Sequence, residues 1–207
     1  MTQVNNNYCT LYLIRHGQTD WNAKGLTQGQ TDIPLNSEGI KQAQTLGESL
    51  KNIKFNAMFS SDLIRAKRTA EIIALERKLA IKTTEALRER WYGEQEGKNE
   101  QLLQKYYKAW ATLSRKERAA FKPFPDYETN EELISRLIIF LREIAVAYPG
   151  KTILIVSHGG IIRAFLNHLS EEIYLDGAIS NMAYIKLESD GVDFFIKEMK
   201  GVKKSNA

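Results

Sequence analysis

Residues 11–17 read Leu-Tyr-Leu-Ile-Arg-His-Gly, a short apolar run that ends in a basic residue, a histidine and a glycine. Residues 153–159 repeat the arrangement as Ile-Leu-Ile-Val-Ser-His-Gly. Short apolar runs bounded by turn residues indicate buried parallel strands. Because ligands bind outside the carboxyl ends of such strands, His16 and His158 are expected to face one pocket. The competing interpretation, two polar loop residues next to helices, suits a lone histidine better than a repeated pair.

The size and composition of the chain predict one globular domain over residues 1–207. The sequence is 43% hydrophobic and 26% charged, which is ordinary for a folded protein. Its net charge of +4 is too small to indicate a nucleic-acid partner, and no apolar run reaches the length of a membrane span. The polar N-terminus lacks the features of a secretory signal, so a cytoplasmic location is expected. The oligomeric state stays open, with a homodimer among the alternatives.

Apolar strand patterns alternate with helical patterns along most of the chain. This alternation predicts an α/β three-layer sandwich, with a mostly parallel central sheet and helices on both faces. Strands are expected at 10–14, 57–59, 81–83 and 152–156, followed by a terminal hairpin of 183–187 and 192–198. The single cysteine, Cys9, is expected as a small buried side chain at the entrance to the first strand.

Four helices have recognisable ends or faces. The first should begin near Asn36 or Ser37 and turn four apolar residues inward, namely Ile40, Ala43, Leu46 and Leu50. The second helix should run through Leu63 to Ile73. The three polar residues before it offer caps, namely Ser60, Ser61 and Asp62. The third should follow Thr129 or Asn130 and stop at Pro149, and the fourth should span 160–168.

Residues 91–127 lack this regularity and are rich in aromatic and basic side chains. We interpret the segment as a helical insertion over the active site. A lid that shapes the substrate site and a surface helix pair with its own aromatic core fit the pattern equally well.

The residues expected at the sheet edge form a set suited to phosphate chemistry: Arg15, His16, Arg65, Glu89 and His158. An arginine presents a planar fork of donors that matches phosphate oxygens. A neutral imidazole can attack phosphorus near neutral pH, while a second histidine stabilises the transition state. Glu89 can protonate the departing alkoxide. On local sequence alone, Glu89 could instead form an ion pair with Arg88 or Arg90.

This scheme needs no metal ion and no organic cofactor. The chain has three histidines and no motif with the spacing of metal ligands, so a metal-dependent phosphatase is not expected. His168, late in its helix, is expected to have a structural role. A Gly-x-x-x-x-Gly-Lys loop and a Gly-x-Ser-x-Gly elbow are also missing from the sequence.

The motifs together resemble the histidine phosphatase superfamily, the phosphoglycerate mutase-like proteins. The resemblance extends from Leu11 to about Leu187 and includes Arg15-His16-Gly17-Gln18-Thr19, Ser60-Ser61-Asp62-Leu63, the stretch 87–93 and Ser157-His158-Gly159-Gly160. It implies His16 as the nucleophile that becomes phosphorylated and Glu89 as the proton donor. By the same resemblance the phosphate would be held by His158 and by a substrate-binding set of Arg15, Asn22, Gln28, Gly29, Arg65 and Gly159.

The family contains both phosphatases and mutases, and departures from its pattern favour a phosphatase. Cofactor-dependent mutases usually carry a Thr-Gly-Trp type segment where this chain has Gln28-Gly29-Gln30, and a paired-arginine segment that Arg115-Lys116-Glu117-Arg118 matches poorly. We therefore expect hydrolysis of small phosphorylated metabolites. A cofactor-dependent phosphoglycerate mutase and a non-catalytic domain that binds phosphorylated ligands are the two alternatives.

Overall fold

The computed structural model describes residues 8–75, 77–170, 173–175 and 177–203. Residues 1–7, which carry most of the argument for a cytoplasmic location, lie outside this part. Within the described residues the strands are Cys9–Arg15 (β1), Ala57–Ser61 (β2), Ile81–Thr84 (β3), Thr152–Ser157 (β4), Ile179–Ser189 (β5) and Phe194–Val202 (β6). The α-helices are Asp20–Ala23 (α1), Ser37–Ser49 (α2), Ile64–Ala74 (α3), Gln101–Thr112 (α4), Arg115–Ala120 (α5), Asn130–Ala147 (α6) and Gly159–Leu169 (α7).

The strands form one sheet in the order β3-β2-β4-β1-β5-β6. The first four strands in this order are parallel, whereas β5 runs antiparallel to β1 and forms the expected terminal hairpin with β6. The register pairs Arg15 with Ser157. The next residue on each strand is a histidine, so His16 and His158 leave the sheet side by side.

Helices cover both faces of the sheet, which confirms the three-layer α/β architecture. On one face, apolar residues of α6 and α7 pack with alternate residues of β1 and β4, for example Leu137, Phe165, Leu13 and Ile155. On the other face, α2 and α3 pack against the intervening strand residues. The alternation of side chains along each strand therefore builds two apolar cores, one on either side of the sheet. No helix within the described ranges combines the length and apolar character that a membrane crossing requires.

The expectation that Ile40 points inward is wrong. Ile40 is 37% exposed, whereas Gly39, Ala43 and Leu46 are the buried residues of α2. Their spacing of four and then three residues follows one face of the helix. Ile40 comes one residue, or about 100° of rotation, after Gly39 and so lies at the border of that face.

The predicted caps of α3 are also wrong. Ser60 and Ser61 belong to β2, and the N-cap residue is Leu63, whose side chain accepts no hydrogen bond. The first free N–H of the helix, that of Ile64, instead donates to Asp32 Oδ1 at 2.7 Å. Asp62 is engaged elsewhere because its carboxylate pairs with Arg88.

The segment 91–127 contains two helices, α4 and α5, and a small aromatic core. Tyr92, Leu103 and Tyr127 form this core with other rings around them. Cys9 is fully buried as the first residue of β1, as expected.

Candidate active site

His16 and His158 meet at the carboxyl ends of β1 and β4. Their ring centroids are 5.1 Å apart and the rings are inclined at 63°. Both side chains are buried, with 3% and 0% of their surface exposed. The two histidines can therefore contact one anion, as the repeated strand-end pattern predicts.

The hydrogen bonds of His16 define which nitrogen is available for chemistry. Nδ1 lies 2.7 Å from the carbonyl oxygen of Gly17 and must carry the proton to donate to it. Nε2 therefore keeps its lone pair, towards which the Nε–H of Arg65 is directed at 3.3 Å. Burial and the charges of Arg65 and Arg15 hold the pKa of His16 well below its usual value. The imidazole is therefore neutral at physiological pH, with a nucleophilic Nε2.

His158 is buried without a hydrogen bond to either ring nitrogen from any described residue. Burial and the charge of Arg65 also lower its pKa well below the usual value. Buried polar groups are normally paired because desolvation without a partner is costly. An anion beside His16 would provide the missing acceptor.

These two histidines should make stability depend on pH. A histidine whose pKa is lowered by folding takes up its proton first in the unfolded chain, so the free energy of unfolding falls as pH drops below about 6.5. Each contributes at most about 1.4 kcal/mol per pH unit in that window. Chemical denaturation between pH 7.5 and 5 measures this slope, and the double variant H16N/H158N should flatten it. If the free energy of unfolding has the same pH slope in the double variant as in the unchanged protein, the assignment is contradicted. The pKa of His168 is also lowered, but this residue is present in both proteins and contributes equally to both slopes.

Arg65 connects the histidine to a loop that closes one side of the site. It is fully buried near the start of α3, and its terminal nitrogens donate to the carbonyls of Thr31 and Gly29 at 2.8 and 2.6 Å. Burial lowers the pKa of Arg65 to about 10, which keeps it charged at neutral pH. Together with the contact to His16, these bonds use three of its five N–H donors and leave two for an anion. Arg15 extends from the end of β1, donates to the carbonyl of Ile179 and lines the same pocket.

Asn22 is oriented by a residue that the sequence analysis missed, Asn181. The Oδ1 of Asn22 accepts from the backbone N–H of Thr19 at 3.2 Å and from Asn181 Nδ2 at 3.3 Å. With its oxygen held in this way, Asn22 can present only its NH₂ group to the pocket. Asn181 also lies 3.1 Å from the carbonyl of His16. It lies in a bulged part of β5 beside Met182, which has a positive φ of 59°.

Gln28 and Gly29 are also placed at the pocket, as predicted. The Oε1 of Gln28 accepts a hydrogen bond from the hydroxyl of Thr19 at 2.9 Å, so the Gln28 amide NH₂ is available to a ligand. Gly29 has a φ of 54°, a conformation that favours glycine, and its carbonyl holds Arg65.

Glu89 lies five residues beyond the end of β3, after a 3₁₀ turn at Glu85–Leu87. Its Oε1 accepts the backbone N–H of Arg90 and its Oε2 that of Gly160, both at 2.8 Å. The alternative ion pairs are not formed among the described residues: Arg88 pairs with Asp62, and the Arg90 guanidinium donates to the Glu128 carbonyl and to Asn130. The Glu89 carboxyl group is thus held at the pocket by main-chain donors.

Gly159 and Gly160 begin α7 and bring its N-terminus to the site. A Cβ atom on Gly159 would lie 3.1 Å from the guanidinium carbon of Arg15, and one on Gly160 would lie 2.6 Å from Glu89 Oε1. Glycine at these positions lets two functional side chains pack directly against the helix start. Main-chain N–H groups at a helix N-terminus also favour an anion.

The resulting pocket has a volume of about 610 Å³, counted to its open mouth. Four residues of the segment 91–127, Tyr92, Glu100, Leu103 and Tyr107, form part of its wall, and so does Arg163 of α7. None of these five residues was assigned to the site from the sequence. Within the described residues, no group of three His, Cys, Asp or Glu side chains is arranged to hold a metal ion.

Comparison with known proteins agrees with this geometry. The family model "Histidine phosphatase superfamily (branch 1)" matches residues 11–200. The chain is 41% identical over 158 residues to Bacillus subtilis PhoE, named an uncharacterized phosphatase, covering 76% of both chains. It is 32% identical over 182 residues to a metal-independent phosphoserine phosphatase of Arabidopsis thaliana, covering 82% of this chain and 72% of the relative.

A solved structure with the same fold is the phosphoglycerate mutase of Bacillus anthracis. It superposes with a TM-score of 0.80 at 27% identity and covers 96% of this chain and 95% of its own. The matched range of the family model includes every side chain of the site described above. This chain therefore belongs to branch 1 of the histidine phosphatase superfamily and is an enzyme of the phosphatase class.

Proposed function

We propose that this phosphatase hydrolyses small phosphorylated metabolites in two displacements at His16, without a metal ion or organic cofactor. The observation that carries the proposal is a buried, neutral His16 at the pocket wall, whose Nε2 lone pair is held, among the described residues, only by a 3.3 Å hydrogen bond from Arg65 and lies on the ring next to His158. In the first displacement Nε2 forms a bond to phosphorus while the bond from phosphorus to the alcohol oxygen breaks. In the second, water attacks phosphorus, the bond to Nε2 breaks and inorganic phosphate leaves.

The other site residues bind the phosphate or move the proton. Glu89 gives its proton to the departing alkoxide and takes one back from the attacking water. Arg15, Arg65 and His158 stabilise the charge on the phosphate oxygens, together with the NH₂ groups of Asn22 and Gln28 and the backbone at Gly159. Gly29 acts through the carbonyl that holds Arg65.

The placement of residues 115–118, the basic segment of the insertion 91–127, favours hydrolysis over mutase activity. Arg115 donates to the carbonyl of His168, and Arg118 donates to the carbonyls of Trp110 and Ala111. Neither is among the described residues that line the pocket. A mutase retains a bisphosphate while it reorients and needs a second anion clamp, whereas a phosphatase must admit water. A cytoplasmic location and a homodimer stay predictions.

The purified protein is expected to hydrolyse p-nitrophenyl phosphate at the same rate with and without excess EDTA. Release of p-nitrophenolate measures this, and an alkaline phosphatase that needs zinc serves as the control for chelation. Activity that EDTA abolishes and added metal restores would contradict the mechanism. Incubation with 3-phosphoglycerate, with and without 2,3-bisphosphoglycerate, tests the alternative. Phosphate release supports hydrolysis, whereas rapid formation of 2-phosphoglycerate would establish a mutase.

A further inference from the structure

A second cavity lies next to the catalytic pocket, with a volume of about 490 Å³ including its open part. We call it the side pocket. Six of its fourteen described lining residues are aromatic, namely Tyr106, Tyr107, Trp110, Phe121, Tyr127 and Tyr174. The proposed mechanism uses none of these rings. The side pocket therefore needs a separate explanation.

The side pocket adjoins the catalytic pocket and shares part of its wall, formed by two helices. Leu103 and Tyr107 of α4 and Arg163 of α7 line both cavities. Along α7, Gly160 faces the catalytic pocket and Asn167 the side pocket. Seven residues of helix span about 10 Å, so a group in the side pocket lies several bonds from a phosphate at the catalytic end.

The charged groups of the side pocket are already stacked on rings. The guanidinium carbon of Arg163 lies 4.4 Å from the ring centre of Tyr107, and that of Arg90 lies 4.8 Å from the ring centre of Tyr127. Both terminal nitrogens of Arg90 donate to protein oxygens, those of the Glu128 carbonyl and of Asn130. Arg90 is therefore not arranged to bind a carboxylate with both arms.

No carboxylate lies among the described lining residues of the side pocket. Burial raises the pKa of Tyr127 to about 12, so its ring carries no charge at physiological pH. Neutral rings and stacked guanidinium planes favour a planar, apolar group, which continues the same stacking.

We propose that the preferred substrates are phosphate monoesters whose alcohol carries an aryl ring two to four atoms from the ester oxygen. The ring occupies the side pocket while the phosphate lies beside His16. This assignment rests on the proposed function, and it makes the side pocket the specificity-determining part of the site. The insertion 91–127, which provides most of the rings, thereby selects the alcohol.

Three esters of similar length test the assignment. Propyl phosphate, 3-phenylpropyl phosphate and 4-carboxybutyl phosphate are all esters of primary alcohols, so their leaving groups have nearly equal basicity. The value of kcat/KM for the phenylpropyl ester is expected to exceed that for the propyl ester by about 10- to 100-fold. Equal values, or the highest value for the carboxylate, would overturn the proposal. Failure to hydrolyse any ester, p-nitrophenyl phosphate included, would instead overturn the proposed function.

A variant of the side pocket gives a second readout. Phe121 lines only this cavity, and F121A should lower kcat/KM for phenylpropyl phosphate about tenfold while leaving that for propyl phosphate unchanged. F121Y should retain the preference. The control is F195A, at a ring on β6 that is 42% exposed and should affect neither substrate. An unchanged preference in folded F121A contradicts the proposal, and if F121A does not fold, the three esters decide the matter with the unchanged protein.

Discussion

Replacement of His16 by alanine is expected to abolish hydrolysis, with kcat/KM for p-nitrophenyl phosphate falling on the order of 10⁶-fold, the size of loss seen when a covalent nucleophile is removed. No other described group offers the lone pair of a neutral imidazole at this position. His158 is next to it, but the centroid of its ring lies 5.1 Å away. Release of p-nitrophenolate by purified H16A protein measures the loss.

The phosphorylated intermediate can be tested directly in the same experiment. A quench during turnover of a labelled ester should trap phosphate on the unchanged protein in an acid-labile, base-stable bond, which is characteristic of phosphohistidine. H168A is the matched control because His168 is exposed on α7 and is not among the described residues of the pocket. It should keep full activity. Residual activity of H16A within tenfold of the unchanged protein, or label in an acid-stable bond, would contradict the assignment of the nucleophile.

The sequence was sufficient to predict the sheet edge because the signals for it are local. An apolar run followed by His-Gly indicates both a buried strand and the point where the chain leaves the sheet, and the parallel register then brings His16 and His158 together. Reliance on a local pattern also explains why the prediction that Ile40 points inward is wrong. A hydrophobic pattern defines a helix face only to about one residue, and the small Gly39 occupies the centre of the buried face instead.

The parts that could not be predicted depend on contacts between distant segments. The first N–H of α3 is capped by Asp32, which precedes it by 32 residues. Asn181 reaches Asn22 and His16 from β5 through a bulge, and main-chain carbonyls of the loop at Gly29 and Thr31 hold Arg65. Backbone groups have no sequence signature, and a single asparagine in a strand has no motif. Only the assembled fold identifies such positioning groups.

Glu89 is the residue for which structure adds most to the mechanism. On local sequence alone an ion pair with Arg88 or Arg90 is a plausible alternative for Glu89. The structure turns Arg88 towards Asp62 and leaves the Glu89 carboxyl group between the N–H groups of Arg90 and Gly160, at the edge of the catalytic pocket. A carboxyl group held in this way is positioned to exchange a proton with a departing alkoxide, and that role has a specific kinetic consequence.

The variant E89Q is expected to lower kcat/KM by about 10²–10⁴-fold for propyl phosphate and much less for p-nitrophenyl phosphate. The oxygen of an alkyl ester is too basic to leave readily unless it receives a proton as its bond to phosphorus breaks. The p-nitrophenolate anion is stable enough to leave without a proton. Because kcat/KM reports the steps up to formation of the phosphorylated enzyme, the ratio of the two values isolates the proton transfer. Initial rates with both esters measure this ratio in the unchanged and variant proteins.

A variant that keeps the carboxyl group but moves it distinguishes proton transfer from simple binding. In G160A the new Cβ would lie 2.6 Å from Glu89 Oε1, so the carboxyl group must shift away from the helix start. G160A should therefore reproduce the greater loss with propyl phosphate, while inhibition by inorganic phosphate changes little. If E89Q instead lowers kcat/KM equally for both esters, the carboxyl group helps to bind the phosphate or hold the pocket together, and the proton must come from another source. If only the alkyl ester is affected, Glu89 supplies the proton, because no effect on binding depends on the basicity of the leaving group.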